Sequence, residues 1–118
     1  MKQKKVTCNG ILIADKVDVA DNYFKRLRGL LGKKQLQPGE GLLLTKVSSV
    51  HCFFMKFTID VVYLTDDMEV TGIETLPPWR VGKWIRGTAH TLELEEGKAQ
   101  ALIQKGDILE IIDSVKLG

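Results

Sequence analysis

The longest apolar region of the chain carries four groups capable of chemistry. It runs His51-Cys52-Phe53-Phe54-Met55-Lys56-Phe57-Thr58-Ile59-Asp60-Val61-Val62-Tyr63-Leu64. Ionisable groups set among apolar ones must be paired, solvated or put to use. Asp60 is the residue to watch. Buried and satisfied, it is structural, which is the reading the sequence favours. Placed in a polar pocket, it could serve as acid or base, with His51 or Lys56 assisting and Arg26 or Arg28 holding an anionic substrate.

Strand geometry limits these options. In one straight strand His51, Phe53, Met55, Phe57, Ile59, Val61 and Tyr63 share a face, and Cys52, Phe54, Lys56, Thr58, Asp60, Val62 and Leu64 share the other. Lys56 and Asp60 are then about 13 Å apart at a rise of roughly 3.3 Å per residue. They meet only if a bulge or turn near Phe57 and Thr58 bends the chain. His51 and Cys52 face opposite ways and make a poor nucleophile–base dyad. His90 could approach Cys52, but no spacing supports that pair, and a buried cysteine is most often a small hydrophobe. A zinc site would need Cys8, Cys52, His51 and His90 without any paired ligand spacing. No metal or cofactor is therefore expected. Asp66, Asp67 and Glu69 do not follow a calcium loop, Glu93, Glu95 and Glu96 read as a solvated strand edge, and no phosphate-cradling glycine motif is present.

The second chemically suggestive stretch is Pro77-Pro78-Trp79-Arg80-Val81-Gly82-Lys83-Trp84-Ile85-Arg86, in which aromatic and basic residues alternate. Such a loop can stack bases, dock a protein partner through tryptophan and arginine, or lid the domain. Trp79 and Arg80 join the candidate binding residues. At least one of Trp79 and Trp84 is expected to pack.

The elements that must position these groups are mostly strands. Asn9-Gly10 between two short β-prone runs is a hairpin turn, since both residues tolerate positive φ. Residues 18–34 read as the one helix: Asp21 or Asp18 caps it, Phe24, Leu27 and Leu31 share a face, and basic residues gather at its end. Gly29 sits inside it at a cost of about 1 kcal/mol relative to alanine. Residues 37–41 form a turn, 42–45 a buried strand and 66–67 a turn. Strands at 70–73, 91–94 and 108–112 follow, with a long loop over 76–87. The expected fold is mainly β (α+β): a small, partly open β-barrel or a sandwich of short strands, with one helix in the N-terminal half.

With 118 residues the chain is expected to form a single domain over 1–118. Its 17 basic and 15 acidic residues, net charge +2, are too balanced to argue for DNA or an anionic membrane. Two cysteines make a disulfide framework unexpected. No signal-peptide pattern or apolar run of spanning length occurs, so a cytoplasmic location is expected.

Three groups of residues resemble a prokaryotic family catalogued as domain of unknown function 192, and the resemblance covers nearly the whole chain. They are Arg26-Leu27-Arg28-Gly29-Leu30-Leu31-Gly32-Lys33, the turn Pro38-Gly39-Glu40-Gly41-Leu42-Leu43-Leu44, and above all the run from His51 to Val61. Pro78-Trp79-Arg80, Leu92-Glu93-Leu94 with Gly97, and Gly106-Asp107 add to it. Cys52 stands where the family pattern has threonine, which weakens a catalytic reading of that cysteine. Many relatives look exported, with an N-terminal signal, whereas this chain is expected to start at the domain. The resemblance implies a compact, mainly β domain with one helix, and no activity.

These residues point to a noncatalytic binding or accessory module with a polar pocket near residues 51–60. That pocket would be built from Arg26, Arg28, His51, Lys56, Asp60, Trp79 and Arg80, and its partner would be a protein or a small anionic ligand. The alternatives are a small hydrolase using Asp60 with His51 or Lys56, and nucleic-acid binding through residues 79–86, which the charge balance disfavours.

Overall fold

The structure, a computed structural model, describes residues 3–21, 35–48 and 56–113. Among these residues seven strands form one sheet: β1 (Gln3–Cys8), β2 (Ile11–Ala20), β3 (Glu40–Leu44), β4 (Ile59–Leu64), β5 (Val70–Leu76), β6 (His90–Glu95) and β7 (Leu109–Asp113). A short helix, α1 (Lys98–Leu102), lies between β6 and β7. The strand order is β5-β4-β6-β3-β2-β1-β7. Every pairing is antiparallel except β2 with β3, which needs a crossover connection.

The hairpin turn forms as the sequence predicts. Asn9 and Gly10 have φ of 52° and 78°, and Cys8 lies opposite Ile11. The sheet then curls until its two outer strands meet. The Val70 amide donates to the Asp107 carbonyl at 2.8 Å, and the Leu109 amide to that of Met68 at 2.9 Å. The result is a mainly β, partly open barrel, as expected.

Burial explains why the sheet curls. One apolar cluster draws on all seven strands and α1, including Val6, Ile13, Leu43, Leu64, Val70, Leu92 and Ala99. A second cluster occupies the other face of the middle strands, with Leu42, Leu44, Phe57, Ile59, Val61 and Tyr63. β4 is buried at every position because apolar groups cover it on both sides. Such strands read as continuous apolar runs.

Two expectations need correction. Asp18, Val19 and Ala20 are not the first turn of a helix. They extend β2, with Asp18, Val19 and Ala20 opposite Leu42, Leu43 and Leu44. β-branched Val17 and Val19 favour that conformation, and the rest of the expected helix lies outside the described residues. Of the two courses left open for the central segment, straight or bent near Phe57 and Thr58, the described residues take the bent one. Residues 56–58 are irregular with a bend at Phe57, β4 begins only at Ile59, and leaving the sheet keeps Lys56 in solvent. Glu93, finally, is not at a solvated edge. β6 runs between β4 and β3, and Glu93 is completely buried opposite Val61 and Leu42. Among the described residues no helix is long and apolar enough to cross a membrane.

Candidate functional site

Asp60 is the centre of the sequence-level site, and its surroundings are fully specified. It is inaccessible to solvent. Its Oδ1 accepts the Thr75 hydroxyl at 2.9 Å. Its Oδ2 accepts the backbone amides of Ala99 at 2.9 Å and Gln100 at 3.2 Å. These amides belong to the first turn of α1, whose N-cap residue is Gly97 and has no side chain to offer. The first amides of a helix lack partners within it, so Asp60 caps α1 from a strand distant in sequence. Its donors do not include Lys56, which is exposed.

Arg26, Arg28, His51 and Cys52 lie outside the described residues. His90, the remaining histidine, has a local occupation. Its Nδ1 accepts the Lys46 amide at 2.9 Å, and its Nε2 lies 3.4 Å from Asp66. Among the described residues no group of three His, Cys, Asp or Glu converges as a metal site would require.

A cavity of about 260 Å³ opens beside the bend in the central segment. Gln35, Leu36, Phe57, Thr58, Glu95 and Glu96 line it. Its position follows from register, since Ile59 lies opposite Glu95 on one side and Leu76 on the other. The cavity therefore sits at the end of the sheet from which both the central segment and the 77–87 loop depart. Glu95 has Lys98 3.9 Å away. The sequence could not place Gln35, Glu95 and Glu96 together, because the strand order that joins them is non-sequential.

The aromatic–basic loop runs back along β5 and is anchored at several points. The Lys83 amide donates to Glu74 Oε2 at 2.7 Å, and the buried Tyr63 hydroxyl donates to the same oxygen at 2.5 Å. The Thr71 and Thr88 hydroxyls are 2.8 Å apart. Ile85 packs against the second apolar cluster, in space that a β-carbon on Gly72 would invade. This corrects the expectation that a tryptophan provides the anchor: Trp79 and Trp84 remain 60% and 73% exposed, and Arg80 is exposed beside them.

A polar cluster that sequence reading passes over lies at the far end of the chain. The Cys8 thiol donates to Asp107 Oδ2 at 3.4 Å, and the Gln104 amide donates to the same oxygen at 2.9 Å. Burial, then the hydrogen bond and charge of Asp107, push the Cys8 thiol up to about 11. The Gln104 amide first, then Cys8 and Asn9, hold Asp107 below the usual carboxylate range. A thiol kept protonated is a poor nucleophile.

Comparison with known proteins agrees with the fold. The chain is 36% identical to the UPF0127 protein of Pyrococcus furiosus over 101 residues, covering 80% of this chain and 84% of that one. Its structure is similar to a protein of unknown function from Novosphingobium aromaticivorans, with TM-score 0.77, 20% identity and coverage of 91% and 82%. It is also similar to a Sinorhizobium meliloti protein described as a "putative transcription regulator", with TM-score 0.70, 22% identity and coverage of 93% and 95%. At these identities the two structures speak for the fold alone. The sequence model of DUF192, described as uncharacterized ACR, matches residues 4–111, and the chain belongs to that family.

Proposed function

We propose that the protein is a noncatalytic binding module whose ligand enters the cavity beside Phe57 and Thr58. The observation that carries this reading is the occupation of Asp60. The carboxylate best placed in sequence for acid or base work spends both oxygens on Thr75 and the first turn of α1. That disfavours the hydrolase alternative, because a buried, saturated carboxylate has no access to substrate.

The cavity combines apolar walls (Leu36 and Phe57) with the Thr58 hydroxyl, the Gln35 amide and the Glu95 and Glu96 carboxylates. Such a lining suits a small polar ligand, or a partner's side chain, that brings hydrogen-bond donors or a positive charge. The described lining gives no support to a small anionic ligand. The arginines assigned to hold one lie outside the described residues.

A fragment screen followed by amide chemical-shift mapping tests this reading. Amine- and amide-bearing fragments are expected to move the signals of Gln35, Thr58, Glu95 and Glu96, and Glu95→Gln with Glu96→Gln to abolish the shifts. Hits confined to other surfaces, or none at all, would overturn it. Nucleic-acid binding, which the description of the Sinorhizobium protein brings to mind, is disfavoured by the net charge of +2. DNA added at low ionic strength is expected to leave the spectrum unchanged.

A further inference from the structure

We propose that the 77–87 loop is a second, separate contact surface, which docks an acidic segment of a protein partner. Three large apolar side chains project from this one loop: Trp79 at 60%, Val81 at 64% and Trp84 at 73% exposure. Scattered exposed apolar residues are ordinary, but three within six positions form a patch. Interleaved with them are Arg80, Lys83 and Arg86, all exposed. Among the described residues none forms an ion pair with these three cations. The patch thus offers apolar anchors together with three cations that form no ion pair among the described residues.

The loop is also held in shape before any partner arrives. Lys83 is tied to Glu74, Thr88 to Thr71, and Ile85 is seated over Gly72. Trp79 adopts φ of 65°, a region bulky residues seldom occupy. A preformed surface loses less freedom on binding. Tryptophan and arginine are the residues that most often dominate protein interfaces.

The same ingredients could stack single-stranded bases, but the surroundings favour a protein. Exposed Glu96 follows Glu95 at the end of the sheet where the loop starts, exposed Asp66 lies 3.4 Å from His90 just past the loop's other end, and the net charge is only +2. A long polyanion would run from the three cations into these carboxylates, whereas a short acidic peptide covers the loop alone.

The test is selection of a phage-displayed random dodecapeptide library on the whole protein, with binding of the selected peptides followed by tryptophan fluorescence. The expected result is enrichment of peptides that combine Asp or Glu with an apolar anchor. Their affinity should fall at least tenfold in Trp84→Ser and in the double variant Arg80→Glu/Arg86→Glu, and weaken as salt rises. Amide spectra of both variants should keep the wild-type pattern outside the loop, and fragment binding at the cavity should persist. The proposal is overturned by selected peptides without acidic excess, by undiminished binding to both variants, or by failure to enrich any peptide. A thymidine dodecamer that quenches the tryptophans in the same buffer would reassign the loop to nucleic acid and equally overturn it.

Discussion

Asp60 and Ala99 are 39 positions apart in sequence, yet the carboxylate of one takes the backbone amide of the other at 2.9 Å. A fully buried strand residue thereby fixes where a helix begins. Asp60→Asn should keep the shape and weaken the cap, because the amide group has one acceptor oxygen for the donors that two carboxylate oxygens now serve. Bonds to charged groups are each worth about 1.5–3 kcal/mol, and a loss of that order is expected in urea unfolding. Exposed Lys56, mutated to Ala, should change stability by less than about 0.5 kcal/mol. Equal effects of the two substitutions would refute the cap assignment.

Cys8 and Asp107 set opposite limits on pH. The thiol is raised from 9.0 to about 11 in the folded protein, so its contribution is intact below about pH 9. Between those values the unfolded chain loses the proton first, and stability declines. Asp107 is held below its ordinary value of 3.8, so its contribution is present above that pH and disappears on acidification. Melting temperature against pH should fall at both ends, and Cys8→Ala should remove the alkaline component and weaken the acid one, because the thiol is among the donors that hold Asp107 down.

Native Cys8 should also resist alkylation. At pH 8, peptide-resolved mass spectrometry after iodoacetamide is expected to find it unmodified in buffer and modified in denaturant. The raised pKa and 1% exposure act in the same direction. Rapid native labelling of Cys8 would contradict the geometry.

Tyr63 ties the loop to the core through Glu74. Tyr63→Phe removes a buried donor to a carboxylate, with an expected cost of about 1.5–3 kcal/mol. Hydrogen exchange should then quicken at the Lys83 amide, which shares that carboxylate oxygen, more than at β4 amides.

Gly41 sits where strands crowd. A β-carbon there would lie 3.0 Å from the Glu93 backbone carbonyl and 3.1 Å from Leu94. The backbone oxygen cannot move aside cheaply, so Gly41→Ala should cost about 1–3 kcal/mol by overpacking, measurable as a lowered thermal midpoint.

Local chemistry was legible where a few neighbouring residues decide the outcome. Asn9-Gly10 dictates a turn by its permitted φ values, and the alternating or continuous apolar runs mark β3 to β7. Asp60 was legible as a buried group but not as a helix cap, because its partners are backbone amides at the far end of the chain. α1 left no periodic signal in five residues, since its first turn is completed by a strand. Glu93 misled because its neighbours Glu95 and Glu96 suggest an edge, whereas strand order makes β6 central. The cavity was half legible. Phe57 and Thr58 belong to the signature segment, but Gln35 and Glu96 reach it only through non-sequential pairing.

The pairing of the first strand with the last has a bearing on synthesis. Lys4 lies opposite Asp113, and their side chains form an ion pair. β1 and β2 can pair as soon as they leave the ribosome, but the outer side of β1 must wait for residues 109–113. Closure through Met68, Val70, Asp107 and Leu109 waits as well. For most of its translation the chain therefore presents an unfinished sheet with an open edge, a state prone to pair with the wrong strand. Long-range strand pairing of this kind also slows refolding, to a scale on the order of milliseconds to seconds.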